Sequence, residues 1–197
     1  MPQNMSQERK DYIQNAGAEL VLTDEELNVD GSIKAAQNYV KEHDNCFFAD
    51  QFNNKCNWEA HYSGTGPEIW EQTQGKVDAF IAGIGTGGTL LGVGDFLKEK
   101  NPDIKLFAVH PADSPHVIQG IGDGFDPHFY KKNKNINEDI YVKNDDALKY
   151  FEWINNEEGF SAGISSGANL SASLHLANKY PNLKNIVIMC ADGEDRY

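Results

Sequence analysis

Basic side chains are scarce in this sequence of 197 residues. There are 17 lysines and arginines against 30 aspartates and glutamates, which gives a formal net charge of -13. Proteins that bind nucleic acid or an anionic membrane surface need a basic face to meet the phosphate groups. We therefore expect neither kind of partner, and the acidity by itself indicates only a soluble chain.

Cysteines and long apolar runs are scarce as well. The three cysteines, Cys46, Cys56 and Cys190, show no CxxC spacing, which disfavours a disulfide framework and a structural zinc site. Cys46 and Cys190 adjoin apolar runs, so we expect both to be buried. The 6 histidines form no HxH or HxxxH pair, and no metal is expected. The apolar runs are too short to cross a bilayer, and no secretory signal precedes residue 20, so a cytoplasmic location is the expectation.

Helical and strand patterns alternate along most of the chain. Helices are predicted over 6–17, 32–42, from 66 onward, and over 90–100, 145–158 and 168–180, with strands at 19–22, 46–49, 77–82, 104–109 and 186–190. A strand, a helix and a strand over 77–109, joined by short connections, form a βαβ unit. The expected fold class is therefore α/β, a three-layer parallel sheet with helices on both faces. Residues 110–137 are predicted to form a long loop.

A glycine-rich loop follows the strand at 77–82 and opens the next helix. Its residues are Gly85, Thr86, Gly87, Gly88 and Thr89. Successive backbone N–H groups of such a loop converge on one concavity, and the helix dipole adds positive potential there. The loop therefore predicts a phosphate site. The plainer alternative is that the glycines only allow close packing of helix and strand.

The same stretch satisfies the dinucleotide motif GxGxxG through Gly83, Gly85 and Gly88. That motif also needs an acidic residue about 20 positions later, at the end of the next strand, to hold the ribose hydroxyls. The next strand ends with Val109, and Asp113 is the nearest acidic residue. A single phosphate fits the pattern better than a dinucleotide, but a Rossmann-type domain remains an alternative.

A second glycine–serine segment spans 163–167 and precedes the predicted helix at 168–180. On the pattern alone, Ser165 or Ser166 is best interpreted as an ordinary N-cap of that helix.

Several segments together resemble the cysteine synthases (O-acetylserine sulfhydrylases) of the fold type II pyridoxal-phosphate-dependent family. They are Met1-Pro2 with Met5-Ser6 and Glu8-Arg9, the runs at 65–70, 83–89, 119–122 and 163–167, and the closing Arg196-Tyr197. Their order along the chain is that of the family, and they span essentially its whole length. The resemblance implies a tryptophan synthase β-like fold, with 1–50 as the remainder of a smaller lobe and 51–197 as an incomplete, larger cofactor-binding domain.

The resemblance also implies an activity and a set of binding residues. The activity is replacement of the acetate of O-acetylserine by sulfide to give cysteine, in a homodimer that also binds serine acetyltransferase. The implied cofactor, pyridoxal 5'-phosphate, has its phosphate on Gly85, Thr86, Gly87, Gly88 and Thr89, and Gly163 lines its cleft. The implied substrate-pocket residues are Gln51 and the mobile loop Gln119, Gly120, Ile121 and Gly122.

The sequence departs from the family in its catalytic groups. The Schiff-base lysine and a Thr-Ser-Gly-Asn loop lie upstream of Met1 in the family, so we expect a chain that is truncated at both ends and inactive alone. Lys34 follows Ser32 and imitates the lysine motif, but it lies on an amphipathic helix and is expected to be a surface lysine. A family segment is also missing between Pro115 and His116.

A further departure lies after the last strand. Gly193 occupies the position of the family serine that bonds the pyridine nitrogen, with Asp192 beside it. We predict that Asp192 turns toward this nitrogen; the plainer alternative is a solvated loop aspartate. A catalytically dead module for binding or dimerisation is the alternative from another functional class.

Overall fold

The computed structural model describes residues 1–122 and 135–196. Within these ranges the helices are α1 (Gln7–Asn15), α2 (Asn28–Glu42), α3 (Lys55–Ala60), α4 (Gly66–Gln72), α5 (Gly88–Lys100), α6 (Asn144–Asn156) and α7 (Ile164–Lys179). A π-helical segment, His61–Thr65, joins α3 to α4, and 3-10 turns lie at Glu25–Leu27 and Glu194–Arg196. The strands are β1 (Ala79–Gly83), β2 (Lys105–Pro111), β3 (Glu138–Val142) and β4 (Ile186–Ile188).

The strands of the described residues form one parallel sheet in the order β3-β2-β1-β4. Ala79 of β1 pairs with Lys105 of β2 on one side and with Ile186 of β4 on the other. The predicted adjacency of the strands near 77–82 and 104–109 is confirmed. The connection between them is α5, as a βαβ unit requires.

The core lies on both faces of this sheet, because successive side chains of a strand point in opposite directions. Phe80 of β1 and Leu106 of β2 pack with Leu90, Val93 and Leu97 of α5. On the other face, β1 and β2 present Ile81 and Phe107 to α6 and α7. Burial on both faces is typical of parallel sheets, and the predicted three-layer α/β fold is confirmed.

Two predicted strands are wrong. Residues 19–22 and 46–49 are not strands in the structure; near them only an isolated bridge joins Pro2 to Thr23. Thr23 N donates to Met1 O at 2.8 Å, and Gln3 N donates to Thr23 O at 2.9 Å. Apolar composition does not form a strand without a neighbour to satisfy the ladder, and no further strand of the described residues lies beside these segments.

The sequence reading also missed β3, an edge strand. Glu138, Asp139 and Tyr141 interrupt its apolar pattern, since one face of this short strand is left open. β3 begins directly after the predicted loop at 110–137, and residues 123–134 of that loop lie outside the described ranges.

Helix starts differ from the sequence reading in two places. α2 begins at Asn28 instead of 32, and α7 begins at Ile164 instead of 168. The N-cap of α7 is Gly163, with no side-chain cap bond, so the serine N-cap is wrong. For α1, the predicted cap Ser6 accepts from the backbone N–H of Arg9 at 3.4 Å. The expected burial of the two cysteines is also wrong, because Cys46 is only partly buried and Cys190 is exposed.

Candidate functional site

A crevice opens at the carboxyl edge of the sheet, beside β1. The chain leaves β1 toward β2 and β3 on one side and returns on the other side as β4. In open parallel sheets, ligands bind outside the carboxyl ends of the strands where the connections diverge in this way. A cavity of about 220 Å³ lies here, lined by Gly83 after β1 and by Asp192 after β4.

The glycine-rich loop forms one wall of this cavity. Gly87 has a φ of 83°, in the left-handed region that favours glycine, and it is the N-cap of α5. A Cβ on Gly85 would lie 2.5 Å from the carbonyl oxygen of Gly120, so only glycine fits there without movement of the backbone. The loop therefore presents the N-terminus of a 13-residue helix to the cavity, which is a favourable place for an anion.

Both threonines of the loop are held by the helical segment that precedes α4. The side-chain amide of Asn57 donates to Thr86 Oγ1 at 2.9 Å. Thr89 Oγ1 lies 3.1 Å from His61 Nε2, and His61 Nδ1 lies 3.0 Å from Thr65 Oγ1. Burial lowers the pKa of His61, so its imidazole is neutral at neutral pH. Two hydroxyl groups are thus fixed beside the glycine backbone.

A second wall is the segment after β2. A Cβ on Gly83 would meet Ile121 at 2.8 Å, so this segment packs directly on the end of β1. The backbone N–H of Gly122 donates to Ile84 O at 2.9 Å. Gln119 lines this cavity and also an adjoining hollow of about 700 Å³, so it borders both spaces.

The third wall comes from the loop after β4 and the start of α7. Gly163 N donates to the backbone oxygen of Asp192 at 2.8 Å, and Arg9 Nη2 donates to Asp192 Oδ2 at 3.3 Å. Asn169 donates to Met189 O at 2.8 Å, and its Oδ1 is buried with no hydrogen-bond partner among the described residues. This wall therefore offers a carboxylate and an amide oxygen to a bound group.

Most residues predicted for the site meet at this cavity. Its lining includes Gly85, Thr86, Gly87, Thr89, Gln119, Gly120, Ile121 and Asp192. Gly88 starts α5 behind the loop, Gly163 bonds the backbone of Asp192, and Gly122 lines the adjoining hollow. Gln51 is exposed and lines neither space; its backbone carbonyl bonds Asn57 instead.

The sequence reading missed Arg9, Asn57, His61 and Asn169. Asn57 and His61 are separated by one helical turn, which places them on one face of a helix. This spacing was the one feature of the sequence that could have indicated that they act together. Arg9 belongs to a segment that carries the family resemblance, but nothing in the sequence placed it or Asn169 at the cavity, because each reaches it from an element distant in sequence.

The dinucleotide alternative loses support in this geometry. Asp113 Oδ2 accepts from the backbone N–H of Asn144 at 2.6 Å, so the carboxylate caps α6. Pockets for drug-sized ligands usually measure about 300–1,000 Å³, and the smaller cavity here fits one phosphorylated ring. The glycine cradle, the two threonine hydroxyls and the size of the cavity therefore fit pyridoxal phosphate.

The described residues show neither a membrane-spanning helix nor a metal-binding cluster. No helix there is long and apolar enough to cross a membrane, and no group of three or more His, Cys, Asp or Glu side chains is placed to hold a metal ion. Lys34 is exposed on α2, as predicted, and none of the described residues that line the cavity is a lysine.

Solved structures with this fold include enzymes of cysteine metabolism. O-acetylserine sulfhydrylase isoform 3 from Entamoeba histolytica superposes with a TM-score of 0.88 and 41% identity, over 100% of this chain and 62% of that one. The O-acetylserine dependent cystathionine beta-synthase from Helicobacter pylori gives a TM-score of 0.95 and 30% identity, over 100% of this chain and 67% of that one. These superpositions over the whole chain confirm the expected fold class.

Curated relatives agree with the structures. Cysteine synthase 3 from Caenorhabditis elegans is 40% identical, and a cysteine synthase from Staphylococcus aureus is 41% identical, each over 100% of this chain. The chain spans 61% and 66% of their lengths. The sequence model described as "Pyridoxal-phosphate dependent enzyme" matches residues 1–192. Because this match runs over nearly the whole chain and agrees with the fold and its glycine-rich loop, the chain belongs to the pyridoxal-phosphate dependent enzyme family.

Proposed function

We propose that this chain supplies the cofactor-phosphate site of an enzyme that replaces the acetate of O-acetylserine with sulfide, giving cysteine. The observation that carries the proposal is the glycine cradle at the divergence of β1 and β4, in a chain similar to cysteine synthases. O-acetylserine and sulfide are accordingly the proposed substrates.

In this proposal the residues Gly85, Thr86, Gly87, Gly88 and Thr89 hold the phosphate. Backbone N–H groups and the dipole of α5 favour its negative charge. Pyridoxal phosphate, when bound, supplies an electron sink for the amino-acid substrate. The substrate is oriented by the segment Gln119, Gly120, Ile121 and Gly122, and Gly163 supports the ring side through Asp192. For Gln51 a substrate contact is proposed from the family resemblance alone, since its side chain lines neither space.

Asp192 is proposed to face the pyridine nitrogen. Its place on the cavity wall supports this role. Arg9 competes for the same carboxylate, with Nη2 at 3.3 Å from Oδ2. Asp192→Asn should remove the charge from the proposed contact, and Gly193→Ser should supply the neutral hydroxyl that the family resemblance implies at that position. A change in the absorbance spectrum of bound cofactor in Asp192→Asn would test the contact.

The domain division is likewise a proposal. We place the boundary near residue 50, with 1–50 in a smaller lobe and 51–197 in the cofactor-binding domain. Support comes from α3 and α4, which pack on α5 of the larger unit.

Assembly and location follow from the same resemblance. We propose a cytoplasmic homodimer that binds serine acetyltransferase. Exposed apolar side chains such as Phe47 and Phe160 are compatible with a covered surface in the assembly. Sedimentation of the purified chain, alone and with serine acetyltransferase, tests both associations.

A binding or dimerisation module without catalysis is the second candidate. The observation that favours it is the cavity wall, in which none of the described residues is a lysine. A Schiff base and removal of the α-proton both need a positioned amine, and Lys98 instead bonds Ile104 O at 2.8 Å, at the far end of α5.

The experiment mixes purified chain with pyridoxal phosphate, O-acetylserine and sulfide. We expect cofactor binding that inorganic phosphate competes away, with no Schiff-base absorbance band and no cysteine formed. Adding the remaining part of a family member as a separate polypeptide should produce both signals. Stoichiometric Schiff-base formation and turnover by the chain alone would contradict the assignment of the catalytic lysine, and a failure to bind would contradict the site.

A further inference from the structure

We propose that Asn57 is a positioning residue that aims the hydroxyl proton of Thr86 at the bound anion. The inference rests on the proposed phosphate site and adds a residue to it. Asn57 lies on α3, outside the glycine-rich loop, and the structure connects it to Thr86 through hydrogen bonds whose directions can be assigned.

The first step is the orientation of the Asn57 amide. Its Nδ2 lies 2.7 Å from the backbone oxygen of Gln51 and 2.9 Å from Thr86 Oγ1. A backbone carbonyl only accepts, so the atom facing Gln51 must be the NH₂ group and not the amide oxygen. This settles the amide flip that electron density alone often leaves open. Asn57 is therefore the donor to Thr86.

The second step concerns the oxygen of Thr86. It accepts from Asn57 Nδ2 and also from the backbone N–H of Gly88, at 3.2 Å. A hydroxyl oxygen has two acceptor lone pairs and one proton to donate. With both lone pairs engaged, the hydroxyl proton must point to a third partner. Thr86 lines the cavity, so this proton is available to an acceptor bound there.

The third step is the rigidity of the support. Trp58 Nε1 donates to Asp95 Oδ2 at 3.0 Å, which ties α3 to α5. A Cβ on Gly92 of α5 would lie 2.5 Å from the backbone oxygen of Trp58, so the two helices are in close contact. A Cβ on Gly88 would overlap Asn57 Oδ1. Asn57 is thus held against the loop, and preorganised donors need little rearrangement when an anion binds.

The neighbouring threonine shows why Asn57 is the residue to test. Thr89 Oγ1 lies 3.1 Å from His61 Nε2, but the donor in that pair depends on the histidine tautomer. For Asn57 the donor is not in doubt, because the Gln51 carbonyl can only accept and therefore fixes which end of the amide carries the NH₂ group. The direction of the Thr86 bond therefore follows from the geometry alone.

The test is a double-mutant cycle on the full chain, read by the binding of inorganic phosphate and of pyridoxal phosphate in equilibrium titrations. Asn57→Ala and Thr86→Val should each weaken phosphate binding about tenfold or more, as expected for a lost hydrogen bond to a charged group. Because Asn57 acts through the Thr86 hydroxyl, adding Asn57→Ala to Thr86→Val should cause no further loss. Thr86→Ser should retain the affinity.

Asn53→Ala is the matched control, because Asn53 is an exposed asparagine just before α3. Among the described residues its side chain bonds Asp50 and not the glycine-rich loop. Its phosphate affinity should equal that of the unmodified chain. If Asn57→Ala does not fold, Asn57→Ser replaces it in the same cycle.

Additive losses in the cycle, or an unchanged affinity in Asn57→Ala, would overturn the positioning role and leave the phosphate site intact. Failure of the unmodified chain to bind either probe would overturn the site itself, and the positioning role with it. The two failures are therefore distinguishable.

Discussion

The first 50 residues differ sharply in burial from the sheet region, which comprises the described residues from 51 onward. In the first 50 residues Pro2 is the only buried residue, and α1 and α2 bury none of theirs. In the sheet region α5 alone buries seven residues, and β1 is buried over four of its five positions. Phe47 is 85% exposed, whereas Phe80 of β1 is 0% exposed.

Both regions have the sequence patterns that helices need. The difference in burial therefore comes from the elements that pack around each helix. α2 has an apolar side that faces a hollow of about 500 Å³, whose lining includes Val21, Tyr39 and Phe47. α5 has β1 and β2 beneath it and α4 beside it. An amphipathic helix gains most of its stability from packing its apolar face on a partner. The apolar face of α5 is therefore stabilised by packing, whereas the apolar side of α2 faces the hollow and has no buried residue.

The two regions are joined mainly by polar contacts at α1. Arg9 pairs with Asp192, Ser6 Oγ donates to Arg196 O at 3.2 Å, and the guanidinium of Arg196 lies 3.6 Å from the ring centre of Tyr12. Contacts of this kind at partly exposed positions contribute little free energy each. We therefore expect the sheet region to dominate the stability of the chain.

The largest expected effect comes from one substitution made in each region. Phe80→Ala should lower the free energy of unfolding by about 3–5 kcal/mol, because it leaves a cavity in the core. Phe47→Ala should change it by less than about 0.5 kcal/mol, because the side chain is exposed. Chemical denaturation with fitted m-values measures both. A comparable loss for Phe47→Ala would mean that this region is covered in solution.

An intermediate effect is expected at the glycine-rich loop. Gly85→Ala should destabilise the chain by about 1–3 kcal/mol and weaken phosphate binding, because the new Cβ meets the backbone oxygen of Gly120. Gly64→Ala is the control, since a Cβ there has nothing within 4 Å. Thermal unfolding and phosphate titration report the two effects. Equal behaviour of the two variants would show that the loop has more space than the structure indicates.

The smallest expected effect is a pH dependence from His61. Burial lowers its pKa in the folded chain below the value of about 6.5 in the unfolded chain. The unfolded state then binds more protons below that pH, so the contribution to stability is complete above about 6.5 and is lost as the pH falls through the folded pKa. Denaturation midpoints from pH 7.5 to 5 should fall less steeply in His61→Gln. If the midpoints of the unmodified chain and of His61→Gln fall equally with pH, His61 is not the source of the pH dependence.

The fold was largely predictable, and the failures have physical causes. The strands near 77–82 and 104–109 were recognised because residues buried on both faces form continuous apolar runs. β3 was missed because Tyr141 and Asp139 of this edge strand face outward. The segment at 46–49 looked like a strand because it is apolar, but nothing in the described residues pairs with it.

The site was predictable where its chemistry lies in one continuous segment. Gly85 to Thr89 carry a phosphate pattern in their own order, because the glycines and the helix that follows them act through the local backbone. The partners of that loop were not predictable. Asn57 reaches Thr86 from 29 positions away, and Arg9 reaches Asp192 from 183 positions away.

By itself, the sequence determined the alternation of helices and strands, the parallel βαβ unit, and the glycine cradle at the start of α5. These depend on periodicity and on backbone conformation, which are properties of neighbouring residues. Only the tertiary structure decided that β4 returns beside β1, that Gly120 closes on Gly85, and that Asn57 directs the Thr86 hydroxyl. Such contacts join residues far apart in the chain, and they form only because packing both faces of the sheet brings those residues together.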